Sequence, residues 1–193
     1  MKHSTMPLYP LKFAPVYKEK VWGGRSLERL GRDLPGDAKN LIGESWELVD
    51  LATTSASGGG GGAERSGVAN GPLASQTLSQ VIDAYGPALH GDLPLTESGG
   101  FPILLKYLDA SAHLSVQVHP SPAYAATHAD AFLKSEAWYI VDCDPGAVIY
   151  KGIKEGVTPD QLRSALTKNT NDAVVPVMFE VPVAPGDCHY LPS

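Results

Sequence analysis

Cysteine is scarce: the 193-residue chain has two, Cys143 and Cys188, and they form no CxxC pair. That excludes a disulfide-built scaffold and fits a reducing compartment, so the cytoplasm is the expected location. Positive charge is also short. Lys plus Arg number 15 against 21 Asp plus Glu, for a formal net charge of -6. No basic run of the kind that grips nucleic acid or anionic lipid is present, so neither partner is expected. No apolar stretch approaches the roughly 18 residues of a spanning helix. The opening MKHSTMPLYP lacks the apolar core of a signal peptide. A soluble, unexported chain is the expectation. No repeat of fixed period is visible. What is plentiful is Gly, at 20, and Pro, at 16, a composition of many tight turns and hence many short strands. With 43% hydrophobic residues the chain can build one sizeable core, and one domain over residues 1–193 is expected.

Along the chain, LKFAPVYKEKVWGG at 11–24 reads as an extended segment closed by a turn at Gly23 and Gly24. SLERLG then reads as a short helix with Ser26 as N-cap and Gly31 as stop, and GESWELVD at 43–50 as a strand. From Thr53 to Gly71 the composition collapses into Ser, Ala and Gly, including five consecutive glycines at 58–62. A flexible loop is expected there, because backbone entropy opposes fixed structure. No GK[ST] ending follows it, which argues against a phosphate-cradling loop. TLSQVIDAYG places Leu78, Val81, Ile82 and Tyr85 at helical spacing, with Gly86 as a stop.

FPILLKYLD at 101–109 reads as a strand, and AHLSVQVHP at 112–120 alternates strictly. In an extended chain Leu114, Val116 and Val118 point one way, while His113, Ser115, Gln117 and His119 point the other. SPAYAATHAD begins with Ser121 as an N-cap and Pro122 in the first helical position. EAWYIVDCD and GAVIYKG read as a hairpin, TPDQLRSALTK as a helix, and VVPVMFEVPV as an edge strand because of its prolines. CHYLPS opens a further strand and the sequence stops without capping or turn residues, which reads as a chain cut inside its fold.

The residues with chemical content are Gln117, His119 and, seventeen positions beyond His119, Glu136. Gln117 and His119 share a face at a spacing that lets both heads converge on one ion, and a carboxylate from a neighbouring strand would supply a third ligand. Mixed oxygen and nitrogen donors suit zinc or another divalent metal. By residue type alone, a QxH on a polar strand face is more often solvated surface. Lys134, two residues before Glu136, would lie on the same face and is placed to move protons beside a dication. By itself it reads as a solvent-exposed lysine.

The strings PVYKEKVWGG, GESWEL, LSVQVHP, KSEAWYIVDC and PGDCHYLPS occur in this order, and the set resembles the type I phosphomannose isomerases, especially the short bacterial kind. The resemblance covers almost the whole chain except the glycine-rich loop. It implies a mainly β, cupin-type double-stranded β-helix (jelly roll) with a few peripheral helices, incomplete at its C-terminal end. It also implies one Zn2+ per chain held by Gln117, His119 and Glu136, with Lys134 as the acid/base. Ser115 and Lys106 would lie near the substrate's phosphate, and Trp22 and Glu44 would line or support that pocket. The implied activity is interconversion of mannose 6-phosphate and fructose 6-phosphate through an enediol, with a small sugar phosphate as the partner and no organic cofactor. In the family the terminal PS continues into a GTxHA-type segment whose histidine is the fourth ligand, and an arginine follows further on. Neither is in this sequence, and His189 falls before the PS, where a structural or surface role is expected. The alternative is a non-catalytic cupin module that binds sugar phosphate or metal. A cupin dioxygenase is disfavoured, since such sites usually use several histidines.

Overall fold

The computed structural model describes residues 7–54, 62–128, 131, 133–168 and 170–193. Its described strands form four open sheets, one of three strands and three of two, and no closed barrel. Helices are short and few, so the fold is mainly β, as expected. The chain divides into two compact units, Met1–Leu114 and Ser115–Ser193.

In the first unit, β1 (Val16–Gly24), β2 (Ile42–Leu48) and β5 (Leu105–Leu108) form an antiparallel sheet with β2 at its centre. Flanked on both edges, β2 is buried from Ile42 to Trp46. Gly23 and Gly24 do not close β1 with a turn; they belong to the strand itself. Ile42 faces both Glu19 and Gly24, so the intervening residues bulge outward, and Val21 at their crest is 94% exposed. Glycine is required where the chain returns: a Cβ on Gly23 would lie 2.5 Å from the backbone nitrogen of Gly43. The 3-10 helix Ser26–Leu30 ends at Gly31 in the left-handed region, as expected. Ser26 is not its cap, however. The Asp109 carboxylate, arriving from the end of β5, accepts the Ser26 N–H at 2.5 Å and takes over that role.

The expected loop over 53–71 is corrected in part. Residues 55–61 lie outside the described residues, but β4 (Glu64–Arg65) pairs with β3 (Asp50–Leu51). Ser66 and Val49 then exchange two bonds: Ser66 N–H donates to Val49 O at 2.7 Å, and Val49 N–H to Ser66 Oγ at 2.9 Å. Both residues are fully buried. A small hydroxyl residue inside a glycine-rich stretch has become a hydrogen-bonded part of the core. Next to it, Val68, Leu73 and Val81 form a cluster against Tyr9, Leu11, Phe13, Tyr85 and Leu89.

Val81 comes from α1 (Leu78–Tyr85), which buries Leu78, Val81 and Ile82 and stops at Gly86, as its spacing predicts. Thr77 and Gln80 close a capping box at its start. Thr77→Ala is expected to lower stability by about 1 kcal/mol, read as a lower midpoint in urea with an unchanged slope.

The second unit contains two strand pairs. β6 (Glu136–Tyr139) pairs with β9 (Cys188–Leu191), and β7 (Val148–Ile153) with β8 (Met178–Pro182). The expected β6/β7 hairpin is therefore not formed; each strand takes a partner from farther along the sequence. The helix expected at 158–168 is α2 (Pro159–Thr167), capped by Thr158 with Gln161. Its Ala165 packs with Val174 and Met178. The strand expected at 112–120 has no hydrogen-bonded ladder. Its apolar side is not buried either, with Val116 38% and Val118 83% exposed.

Candidate metal centre

β6 has the alternation of a strand with one covered face: Glu136 and Trp138 are half-buried, while Ala137 and Tyr139 are exposed. The preceding Lys134 has its ammonium on the Glu136 side, forming an ion pair with Glu136 Oε1 at 2.8 Å. The same Nζ donates to Gln117 Oε1 at 3.2 Å. The other carboxylate oxygen, Glu136 Oε2, lies 3.3 Å from His119 Nε2. Gln117 and His119 thus meet one carboxylate and one lysine, while Val118 between them points to solvent. The two-residue repeat of an extended chain produces this although the segment has no ladder.

The side chains of His119 and Glu136 are only 10% and 18% exposed, against 44% for Lys134. The acid and imidazole are sheltered, and the ammonium reaches in from the rim.

One separation in the set is compatible with a small dication. Bonds of about 2.0–2.1 Å to nitrogen and oxygen in a tetrahedron put neighbouring ligand atoms about 3.3–3.4 Å apart, which is the His119–Glu136 separation. Among the described residues no three His, Cys, Asp or Glu side chains gather closely enough to hold an ion. The set therefore depends on the Gln117 amide oxygen as its third donor.

The remaining sequence candidates fall as follows. Ser115 is an exposed residue at the start of the second unit. Lys106, Glu44 and Trp22 belong to the first. Glu44 is buried at 7% exposure; its Oε2 accepts Trp46 Nε1–H at 2.5 Å and the Lys106 ammonium at 3.3 Å. Trp22 packs its ring against Gly43, where a Cβ would come within 2.8 Å of it.

Two residues of note, Trp46 and Lys18, were not singled out from sequence. The Trp46 ring has the Lys18 ammonium 4.8 Å and the Lys106 ammonium 6.0 Å from its centroid, and Lys18 is ion-paired with Glu64. The signal for both was available: Lys18, Glu44, Trp46 and Lys106 alternate onto one face once the register Lys18↔Glu44 and Trp46↔Lys106 is known. His189, given a structural or surface role, pairs across from Trp138 on the Glu136 face. Its Nε2 is buried with no hydrogen-bond partner among the described residues.

Residues 10–145 match the model of the phosphomannose isomerase type I catalytic domain, well over half of the chain. The chain belongs to the type I phosphomannose isomerase family. Among its relatives, the mannose-6-phosphate isomerase ManA of Bacillus subtilis is 36% identical over 192 residues, covering 97% of this chain and 53% of the relative. The mannose-6-phosphate isomerase of Streptococcus mutans is 32% identical over 185 residues, covering 95% and 52%. The crystal structure of the mannose 6-phosphate isomerase from Bacillus subtilis superposes with a TM-score of 0.71 at 29% identity, covering 95% of this chain and 52% of that one. This type I phosphomannose isomerase family member therefore shares its mainly β fold with a solved relative, and it spans about half the length of the curated relatives it matches.

Proposed function

We propose that the chain carries the zinc-binding and proton-transfer part of a cytoplasmic mannose-6-phosphate isomerase on a cupin-type scaffold. The reaction is interconversion of mannose 6-phosphate and fructose 6-phosphate through an enediol. The observation that carries this reading is the convergence of Gln117, His119 and Glu136 around Lys134. These three donors would hold one zinc ion, which supplies stabilisation of the negative charge that develops on the sugar oxygens. Lys134 Nζ is the group assigned to move the proton between C1 and C2, since it is the protonatable head at the exposed rim of the set. Glu136 orients that ammonium through Oε1 and keeps Oε2 toward His119. Ser115, Lys106, Trp22 and Glu44 are assigned to substrate binding. Glu44 holds the Lys106 ammonium through a hydrogen-bonded ion pair, which fixes a cation for a phosphate dianion.

The test combines metal analysis of the purified chain with a coupled assay on mannose 6-phosphate. Bound zinc near one per chain together with fructose 6-phosphate formation is the expected result. Zinc without turnover would overturn the catalytic reading in favour of a non-catalytic binding module, and absence of zinc would remove the ligand assignment.

A further inference from the structure

The indole of Trp46 stands behind the cation assigned to phosphate without reaching the surface itself. Glu44 and Trp46 sit two residues apart on β2, and Lys106 of β5 lies directly across from Trp46, so the pleat puts all three side chains on one face. Trp46 is 3% exposed. Its Nε1–H donates to Glu44 Oε2 at 2.5 Å, and the Lys106 ammonium contacts that same oxygen at 3.3 Å. We infer that Trp46 is a positioning residue for phosphate binding: it fixes the Glu44 oxygen that holds Lys106 Nζ and touches no ligand itself. This rests on the reading of Lys106 as a phosphate-binding group, and it adds what keeps that group in place.

A lysine head is a compact charge on a flexible stem, and every side chain that must be ordered on binding lowers affinity. Glu44 meets part of that cost in advance, taking one ammonium donor and leaving others for phosphate oxygens. A glutamate is flexible too, so its carboxylate stays in place only when something rigid fixes it. The buried indole does so through a charge-assisted bond. The ring is held in turn by Lys18 of β1, whose ammonium lies 4.8 Å from its centroid and is ion-paired with Glu64 of β4. Lys106 Nζ, at 6.0 Å, stands at the outer limit of direct attraction to the ring, so the route through Glu44 carries the effect. Order passes outward, from the indole to a carboxylate side chain 10% exposed and on to a lysine 22% exposed.

The experiment titrates the parent chain, Lys106→Met and Trp46→Phe with inorganic phosphate at about pH 8, where phosphate is mostly a dianion. Binding is followed on the backbone amides of β5 and on the indole N–H signals in proton–nitrogen correlation NMR spectra. Trp46→Phe keeps an aromatic ring and removes the N–H. Positioning requires that phosphate shift the Trp46 indole N–H signal of the parent, and that both variants bind phosphate about 10-fold more weakly or worse. No binding by the parent, or undiminished binding by Lys106→Met, overturns the phosphate reading of Lys106 and the inference with it. Full binding by Trp46→Phe beside a loss in Lys106→Met overturns the positioning role and leaves Lys106 standing. An indole signal that ignores bound phosphate in the parent overturns it as well, whatever Trp46→Phe does, because an indole that only fills space would not sense the ligand.

Discussion

If the proposed ligand set holds, Glu136→Gln should lose zinc by more than about 100-fold, above the 10–100-fold range of changes to groups that merely orient a ligand, and any turnover of mannose 6-phosphate by the parent should fall to background. The substitution keeps the shape of the side chain and removes its charge. That charge is shared in two directions, Oε1 to Lys134 at 2.8 Å and Oε2 toward His119 Nε2 at 3.3 Å. A neutral amide still offers one oxygen, so the variant should fold, with a circular dichroism spectrum like the parent's. What it cannot do is supply the negative charge that the Lys134 ammonium and a bound dication would both draw on. Calorimetric zinc titration and the coupled assay are the measurements. Full zinc affinity in Glu136→Gln would show that the carboxylate is no ligand.

Asp50→Ala should be the most damaging single change to the first unit, lowering stability by about 3–5 kcal/mol. The Asp50 side chain is fully buried and gathers donors from three places in the sequence. The Ser79 hydroxyl in α1 donates to Oδ1, the Phe101 N–H to Oδ2 at 2.9 Å, and the Arg65 guanidinium in β4 reaches Oδ1 at 3.4 Å. Removing the acceptor strands the Phe101 N–H and the Ser79 hydroxyl, while the Arg65 guanidinium, on a side chain 34% exposed, keeps part of its hydration. Asp50→Asn retains one acceptor oxygen and should lose less. Urea unfolding followed by far-ultraviolet circular dichroism checks both. A midpoint for Asp50→Ala equal to the parent's would mean that the three donors find other partners.

These two residues also mark what was legible in the sequence. The meeting of Glu136 with Lys134, Gln117 and His119 is legible at short range: the QxH and KxE spacings put polar heads on one side of an extended chain whatever the rest of the fold does. The segment 112–120 makes the point, since its alternation correctly sorts Gln117 and His119 from Val118 although no ladder forms. Alternation specifies which side a residue takes, not which strand lies beside it. For the same reason the sequence predicts a β6/β7 hairpin through Asp144, Pro145 and Gly146, whereas β6 pairs with β9. Adjacency in sequence is a local signal and strand pairing is not.

Asp50 is not legible in the sequence because its partners, Ser79, Arg65 and Phe101, are ordinary residues far apart in the chain that acquire meaning only when folded together. Ser66 was hidden by its neighbours: a glycine-rich composition describes the average of the stretch, and one residue within it is completely buried. The helix over Leu78–Tyr85 was the easiest element, since both its periodicity and its stop signal lie within ten residues.

Ten of the thirteen buried apolar side chains among the described residues belong to the first unit; the second has Ala165, Val174 and Met178. Amide hydrogen exchange should register that asymmetry, with deuterium entering the four-residue ladder of β6 and β9 well before it enters β2, because opening free energy follows the apolar contacts that an opening must break. The residues gathered around Lys134 are thereby mounted on the more yielding half of the chain, and an ion bound there would slow exchange most where the protein by itself resists it least.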